Sequence, residues 1–434
     1  MKEELKLLIK TFHGKKPTEL KKRNLDKIPL NTTKIISLIG SRRVGKTYSC
    51  YQIISELINK HNVNIENILY INFEDDRFDY KLENLDLIIQ AYSELYPNLD
   101  FSKCYFFFDE IQEVDNWEKF IRRLHDTYTK NIFITGSSSK LLSKEISTSL
   151  RGRSLAYEIY PLSFKEYLGF NNIEIDIYNT TSKNKMKHLF EKYLKVGSFP
   201  EIINYEENVV QKTYQEYLNV MIFKDIVERY NIKNQKVLNL FIKKTISNIG
   251  VDFSINKFHN ELKSQGFSIS KDFLYELPSY LEDIFLVFFL EKYNKSTMKR
   301  NLASKKVYVL DSGFSNLFKF NEDYGRLLEN LVFIELKRQG LEIYYHRDKF
   351  ECDFIIQDRD IVSKVIQVTK SLTNEDTKKR EINGLLEAMK EYNLDEGLIL
   401  TQDEESEEII EGKKITIMPV WKWSLGKLNK LEYK

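Results

Sequence analysis

The sequence predicts an α/β protein: a parallel-sheet core, a helical lid, a winged-helix-like module and a second α/β domain. Three observations carry this prediction. An apolar strand runs through a glycine-containing loop into an amphipathic helix over 33–58, and a second apolar strand ends in two acids at 109–110. Near the other end, an amphipathic helix and three apolar strands follow one another over 324–371. Buried strands that alternate with helices are typical of parallel sheets covered on both faces.

Length and composition limit the protein class. A chain of 434 residues exceeds what one hydrophobic core usually serves, so several domains are expected. Lys+Arg (66) and Asp+Glu (64) nearly balance, so any nucleic-acid site must be a local basic patch. The longest apolar run, 284–290, is too short to cross a bilayer, and the three cysteines are isolated. We therefore expect a cytoplasmic protein with reduced thiols and no membrane partner.

The first apolar strand leads into a phosphate-binding pattern. Gly40 is followed by four residues and then by Gly45, Lys46 and Thr47. Glycines let backbone N–H groups face phosphate oxygens, and the start of the next helix adds positive potential. Lys46 would reach the β- and γ-phosphates, while the Thr47 hydroxyl would ligate Mg²⁺. The predicted cofactor-binding residues are Gly40, Ser41, Arg42, Arg43, Val44, Gly45, Lys46, Thr47 and Tyr48.

An acidic pair supplies the second half of such a site. The apolar strand 104–108 ends at Asp109, and Glu110 follows it. At the carboxyl end of a central parallel strand, Asp109 would hold Mg²⁺ and Glu110 would activate the attacking water. The glutamate favours hydrolysis over a signalling switch, and no guanine-reading motif is present. The sequence therefore predicts ATP and Mg²⁺ as cofactors.

Two further groups are candidates for the same site. Ser137 and Ser138 follow a third apolar strand, where they would sense the γ-phosphate or would simply form a serine-rich turn. Arg151 and Arg153 lie in a short loop, and both interpretations of this pair stay open. Either they are structural arginines, or one of them stabilises the transferring phosphoryl group of a neighbouring subunit. The second interpretation requires a homo-oligomer.

The order of these segments resembles a known family. GSRRVGKT, INFEDDR, FFFDEIQEV, ITGSSS, LRGR and YPLSFKEYL are similar to segments of archaeal and bacterial AAA-type ATPases with a DUF4143-like C-terminal domain. The resemblance covers essentially the whole chain. It implies that Asp109 and Glu110 form a Walker B pair, that Ser137 is a sensor and that residues 150–153 provide an arginine finger. It also implies a helical lid, which segment 189–203 matches.

Changes of pattern predict four domains: an ATPase core at 1–170, a lid at 171–235, a winged-helix-like module at 236–306 and a nuclease-like domain at 307–434. Residues 295–306 contain five basic residues and no acid, which predicts non-specific contact with DNA phosphates. The preceding helix is acidic and would repel a major groove. A purely structural role for the module therefore stays open.

The C-terminal segment has the order of a PD-(D/E)xK nuclease-like fold, with Glu329 on the helix and Asp353 on the second strand. Active sites of this type hold a metal with two carboxylates and activate water with a lysine. Here Gln367 replaces the second strand carboxylate. Lys370 comes one residue late, which on a strand predicts the opposite face. The sequence predicts a degenerate nuclease site at Glu329, Asp353 and Gln367, and cleavage is not the favoured activity.

The favoured function is Mg²⁺-dependent ATP hydrolysis by an AAA-type ATPase that acts as a DNA-associated motor or switch. Two alternatives remain. One is an ATP-regulated nuclease. The other is a nucleotide-gated module that holds a protein partner, which the sequence does not identify.

Overall fold

A computed structural model describes residues 1–14, 20–137, 150–318 and 323–426. The chain divides into two compact units, Met1–Tyr160 and Pro161–Lys434. Along the described ranges, no helix has the length and apolar character that crossing a bilayer requires. The three cysteines, Cys50, Cys104 and Cys352, are free and buried.

The first unit is an α/β layer structure. Its helices are Lys2–Gly14 (α1), Lys46–His61 (α2), Asp86–Leu95 (α3) and Trp117–Thr127 (α4). Its strands are Ile35–Ile39 (β1), Ile68–Asn72 (β2), Tyr105–Asp109 (β3), Asn131–Gly136 (β4) and Ser154–Glu158 (β5).

These strands form one parallel sheet in the order β2-β3-β4-β1-β5. Every residue of β1 is buried, because its apolar run is covered on both faces of the sheet. In parallel strands all carboxyl ends lie at one edge, so the loop after β1 and the acids that end β3 share that edge. The predicted parallel α/β core is confirmed.

The second unit contains mostly short helices and two sheets. Its helices are Phe164–Phe170 (α5), Thr180–Val196 (α6), Glu207–Val220 (α7), Gln235–Ile246 (α8), Ile255–Ser264 (α9), Lys271–Asp283 (α10), Thr297–Leu302 (α11), Ser312–Asn316 (α12), Tyr324–Arg338 (α13), Glu375–Glu391 (α14) and Val420–Trp423 (α15). A π-helical segment, Met221–Glu228, continues α7.

The strands of the second unit are Asp252–Phe253 (β6), Val287–Leu290 (β7), Lys305–Val309 (β8), Glu342–Arg347 (β9), Glu351–Asp358 (β10), Ile361–Val368 (β11), Glu396–Thr401 (β12), Ser406–Ile410 (β13) and Lys413–Pro419 (β14). Strands β6, β8 and β7 form an antiparallel sheet, and α8 to α10 belong to the same segment. This is the segment that the sequence predicts as winged-helix-like.

The other sheet of this unit has the order β13-β14-β12-β11-β10-β9. Its central pairs β11-β12 and β12-β14 are parallel, whereas β9-β10-β11 and β13-β14 are antiparallel. Helix α14 packs on β10 and β11 through a core that includes Leu385, Met389, Ile355 and Val365. The helix–strand–strand–strand–helix–strand order from α13 to β12 confirms the predicted second α/β domain.

The basic strip 295–306 is not a row of accessible cations. It forms α11 and the start of β8, and Lys306 is only 1% exposed. Lys305 and Arg300 both form ion pairs with Glu291, at 2.8 and 4.0 Å. The prediction of five accessible phosphate contacts is therefore wrong for Lys306, because the alternation of β8 turns that side chain into the interior.

Candidate nucleotide-binding site

The glycine-containing loop lies between β1 and α2, where its backbone must curl tightly. A Cβ added to Gly40 would lie 2.2 Å from the carbonyl oxygen of Ile159, so only glycine allows this approach. Gly45 has φ 98° and directly precedes the first turn of α2. The first N–H groups of a helix lack intrahelical partners and carry positive potential. The loop and the start of α2 therefore form a site suited to phosphate oxygens.

Lys46 is the cation of this loop. Its side chain is 3% exposed, and Nζ donates to the carbonyl oxygens of Gly40 and Ser41 at 3.3 and 3.1 Å. The same ammonium lies 3.2 Å from Oε1 of Glu110. These contacts hold a full positive charge within the curve of the loop, where phosphate charge would be neutralised.

The carboxylate of Asp109 is fixed by three hydroxyl groups. Its Oδ2 accepts hydrogen bonds from Thr47 at 2.7 Å and from Tyr70 at 2.8 Å, while Oδ1 accepts from Thr135. Burial raises the pKa of Asp109, against the hydrogen bonds from Thr135 and Thr47, which lower it. Hydroxyl and carboxylate oxygens are the hard ligands that Mg²⁺ prefers, so Thr47 and Asp109 fit that ion.

Glu110 is the acidic partner of Lys46. Its backbone has φ 51°, and its Oε2 accepts a 2.7 Å hydrogen bond from Nε2 of Gln112. Burial pushes the pKa of Glu110 upward, but the charge of Lys46 and the bond from Gln112 outweigh it, so the pKa is lowered. An ionised carboxylate beside the phosphate loop can accept a proton from water.

The other predicted loop residues differ in exposure. Ser41 and Val44 are buried, whereas 64% of Tyr48 is exposed. Arg42 forms a 3.0 Å ion pair with a glutamate after β2, and Arg43 has φ 65°. The structure thus gives each residue of the loop a defined environment around the start of α2.

Of the predicted sensor and finger residues, Ser137 follows the carboxyl end of β4, whereas Arg151 and Arg153 precede β5 and lie at the opposite, amino-terminal edge of the sheet, where the N–H of Ile35 donates to the carbonyl oxygen of Arg153 at 2.7 Å. Ser137 is 1% exposed and lies 3.5 Å from Nε2 of Gln112, and Ser138 lies outside the described residues. Both guanidinium contacts of Arg153 reach Asp126, each at 3.1 Å. Arg151 is exposed and has φ 51°. The sequence does not distinguish these two arginines, but in the structure Arg153 pairs with Asp126 whereas Arg151 is exposed.

Sequence reasoning missed Tyr70, Thr135 and Gln112. Each of them contacts Asp109 or Glu110 from a different segment. Gln112 is close in sequence and its place in DEIQ is a usable signal. Tyr70 and Thr135 come from β2 and β4, so only the strand order identifies them.

The second unit brings the predicted nuclease-like residues together. Nζ of Lys306 lies 3.0 Å from Glu329 and 2.9 Å from Asp353, and the amide N–H of Asp353 donates to Gln367 at 3.2 Å. The sequence did not predict Lys306 as a member of this cluster, because the lysine lies in the segment 295–306 that was predicted to contact DNA.

Lys370, which we expected to face away from this cluster, follows the end of β11. Lys370 and Glu329 both line a cavity of about 520 Å³. Nζ of Lys370 lies 5.7 Å from the ring centre of Tyr324, another residue of the same cavity. Strand β11 ends at Val368, so strict alternation no longer applies two residues later.

Comparison with known proteins agrees with this architecture. Residues 32–168 match the model of an AAA domain, 187–323 match a domain of unknown function (DUF8612), and 324–423 match a domain of unknown function (DUF4143). Over 412 residues the chain is 40% identical to uncharacterized protein MJ1544 of Methanocaldococcus jannaschii, spanning 92% of this chain and 90% of that protein. The chain belongs to the family of AAA-type ATPases with a C-terminal DUF4143 domain. An uncharacterized protein of Haemophilus influenzae is 31% identical over 75% of this chain and 80% of its own length.

Two solved structures are similar to this chain at a low level. The Aeropyrum pernix ORC1 protein in complex with DNA is 12% identical, spans 78% of this chain and 94% of its own, and has a TM-score of 0.28. C. elegans PCH-2 is 16% identical, spans 42% and 49%, and has a TM-score of 0.22. The AAA domain itself makes the first unit an ATPase-type nucleotide-binding domain.

Proposed function

We propose that this AAA-type protein binds Mg²⁺ and ATP at the loop 40–48 and hydrolyses the nucleotide. One observation carries the proposal. The Thr47 hydroxyl contacts Asp109 at 2.7 Å, and the Lys46 ammonium contacts Glu110 at 3.2 Å, at one edge of the parallel sheet. Phosphoryl transfer needs these four groups: a metal-binding hydroxyl and carboxylate, a phosphate-binding cation and a base.

Each group has a role set by its environment. Lys46 neutralises phosphate charge, and Thr47 and Asp109 would hold Mg²⁺. When bound, Mg²⁺ supplies a second positive charge to the phosphate oxygens. Glu110 accepts a proton from the attacking water, because its carboxylate is ionised and held in place by Gln112.

Three further residues, Ser137, Arg151 and Arg153, are candidates for roles around the nucleotide site. Ser137 would sense the γ-phosphate through Gln112, which contacts both Ser137 and Glu110. Arg151 would act as an arginine finger toward the nucleotide of another subunit, which makes the working form a homo-oligomer. Arg153 is the weaker candidate, because Asp126 already binds its guanidinium group.

Hydrolysis would reposition the lid at 171–235 and the modules after it, in a DNA-associated motor or switch. Lys306 of the basic strip is buried, so any DNA contact there falls to the other basic residues of 295–306. The alternative without DNA is a nucleotide-gated module for a protein partner. Both share the ATPase reaction and differ in whether DNA changes its rate.

Steady-state turnover of Mg·ATP by the full chain tests the proposal. Glu110→Gln should lower turnover at least about a hundredfold while binding of a fluorescent ATP analogue is retained, because only the base is lost. Glu113→Gln makes the same charge change three residues away and should keep near wild-type turnover. Lys46→Ala should lose binding itself. Equal turnover in wild type and Glu110→Gln would refute the role of the base.

The same assay tests whether ATP hydrolysis is coupled to DNA binding. Turnover is measured without nucleic acid, with single-stranded DNA and with duplex DNA. Stimulation by either form that disappears in Lys46→Ala supports the DNA-associated role. A rate that is flat across all three conditions removes that role and leaves the nucleotide-gated module.

A further inference from the structure

A buried lysine stands at the centre of the acidic cluster in the second unit. Nζ of Lys306 lies 2.6 Å from Glu351, 2.9 Å from Asp353 and 3.0 Å from Glu329. The lysine side chain is 1% exposed, and the carboxylates of Asp353 and Glu329 are 7% and 11% exposed. A charge this deep in a protein persists only when neighbouring charges and hydrogen bonds compensate it. Here the carboxylates of Glu351 and Asp353 and the hydrogen bond to Glu329 do so.

The other polar atoms of the cluster are also engaged. Tyr308, two residues beyond Lys306 on the same face of β8, donates to Oε1 of Glu329 at 2.6 Å. The second oxygen of Asp353 accepts the N–H of Val368 at 3.0 Å. Gln367, which accepts from the backbone of Asp353, donates its own amide to a further acid, Glu381.

These contacts conflict with a metal-dependent nuclease centre. The sequence pattern assigns Glu329, Asp353 and Gln367 to a divalent cation, but the ammonium of Lys306 lies between the first two. Mg²⁺ would need oxygen atoms about 2.0–2.1 Å away in a near-octahedral set, and the ammonium takes that space.

The charges around Lys306 also favour an ammonium group over a metal ion in this cluster. Burial lowers the pKa of Lys306, but the charges of Asp353 and Glu329 outweigh it and raise the pKa well above its ordinary value. The lysine also comes from outside the matched DUF4143 segment 324–423, which supplies all three carboxylates.

We propose that the ammonium of Lys306 takes the place of the divalent metal in this cluster, so that the DUF4143 domain is closed to metal and does not cleave nucleic acid. The lysine, supplied by β8, ties that strand to α13 and β10. This inference concerns the second unit and does not depend on the proposed ATPase activity.

Removing the lysine should create a metal site. In Lys306→Met, three carboxylates would face one another without a cation, which favours uptake of a divalent ion. The 520 Å³ cavity shares Glu329 with the cluster. The matched control is Lys305→Met, since Lys305 is the preceding residue of β8 and pairs with Glu291 instead.

Mn²⁺ binding to the full chain without nucleotide tests the proposal, by electron paramagnetic resonance of free and bound ion. All variants carry Asp109→Asn, which removes the metal-binding carboxylate of the nucleotide site. The background chain and the Lys305→Met chain should bind no Mn²⁺ tightly. Lys306→Met should bind one Mn²⁺ per chain, and adding Asp353→Asn should abolish that binding.

Three results would overturn the proposal. The first is tight Mn²⁺ binding by the background chain that Asp353→Asn removes, a measurement that stands even if Lys306→Met does not fold. The second is a folded Lys306→Met chain that binds no Mn²⁺. The third is Mn²⁺-dependent nicking of plasmid DNA by the wild-type chain that Lys306→Met abolishes, which would make the lysine a catalytic residue of an active nuclease.

Discussion

The hydroxyl of Tyr70 donates a 2.8 Å hydrogen bond to Oδ2 of Asp109, the same oxygen that Thr47 contacts. Tyr70 lies on β2, the strand next to β3, and receives a 3.2 Å hydrogen bond from the hydroxyl of Tyr51 on α2. The carboxylate proposed to bind Mg²⁺ is therefore oriented by a tyrosine that is itself held from a helix. Partners of this kind commonly tune metal affinity.

Tyr70→Phe should weaken the dependence of the ATPase on Mg²⁺. Loss of the hydroxyl leaves Oδ2 with one protein donor, so the Mg²⁺ concentration for half-maximal turnover should rise about tenfold. Turnover at saturating Mg²⁺ should change much less. Tyr92→Phe removes a hydroxyl that donates to the backbone carbonyl of Glu66 and has no contact with Asp109 or Tyr70, and it serves as the control. Superimposable Mg²⁺ titrations of Tyr70→Phe and wild type would exclude this positioning role.

Arg151 and Arg153 should behave differently in mixed oligomers. Arg151→Ala should lower turnover at least about tenfold if the arginine serves a neighbouring site, whereas Arg153→Ala should mainly lose its ion pair with Asp126. Mixing Arg151→Ala with Glu110→Gln should restore activity, because the intact base of one subunit can meet the intact arginine of the other. No recovery on mixing, over a range of protein concentrations, would argue against action in trans.

Local motifs allowed much of the first unit to be predicted. The loop from Gly40 to Thr47 and the pair Asp109–Glu110 combine strand, turn and helix preferences within a few residues, so their setting follows from sequence. Tyr70 and Thr135 could not be found this way. Their contacts with Asp109 cross from β2 and β4, and a single sequence does not give the strand order.

In the second unit, too, a single sequence could not show which residues come together. Alternation along a strand tells that Lys305 and Lys306 face opposite sides, but not which side is interior. That depends on α13 and β10, which supply the acids around Lys306. The local cluster of basic residues therefore suggested DNA contact for a lysine whose ion-pair partners are acids of the same chain.

Glu329 should make stability depend on pH. Burial raises the pKa of Glu329 to about 7, against the charge of Lys306 and with help from Asp353. The folded protein then holds a proton that the unfolded chain releases near pH 4.5. The stabilisation is complete below that pH and is lost as the pH rises through about 7, by as much as about 3 kcal/mol.

Thermal midpoints of wild type and Glu329→Gln, measured from about pH 5 to pH 8, test whether stability falls as the pH rises. Glutamine mimics the protonated acid, so the variant should lose less stability than wild type over that range. Other groups titrate in both proteins and cancel in the difference. Parallel curves would mean that Glu329 does not keep its proton in the folded state.

Gly197→Ala should strongly destabilise the second unit. Asp311 is buried there and accepts hydrogen bonds from the Tyr214 hydroxyl at 2.6 Å and from Ser198 N–H at 2.8 Å. A Cβ on Gly197 would lie 1.9 Å from the Tyr214 oxygen and 2.3 Å from Asp311 Oδ1, at φ +101°. Either the methyl group displaces this network or the backbone shifts, so we expect a loss of about 3 kcal/mol or more.

Thermal unfolding measures this loss, with Gly169→Ala as the matched control. No heavy atom lies within 4 Å of a Cβ added to Gly169, which is inside a helix, so alanine should be neutral or slightly stabilising there. Tyr214→Phe alone should cost less than Gly197→Ala, because it removes one donor without forcing atoms together. If Gly197→Ala unfolds at the same temperature as Gly169→Ala, the network tolerates the extra atom and the crowding around Asp311 does not limit stability.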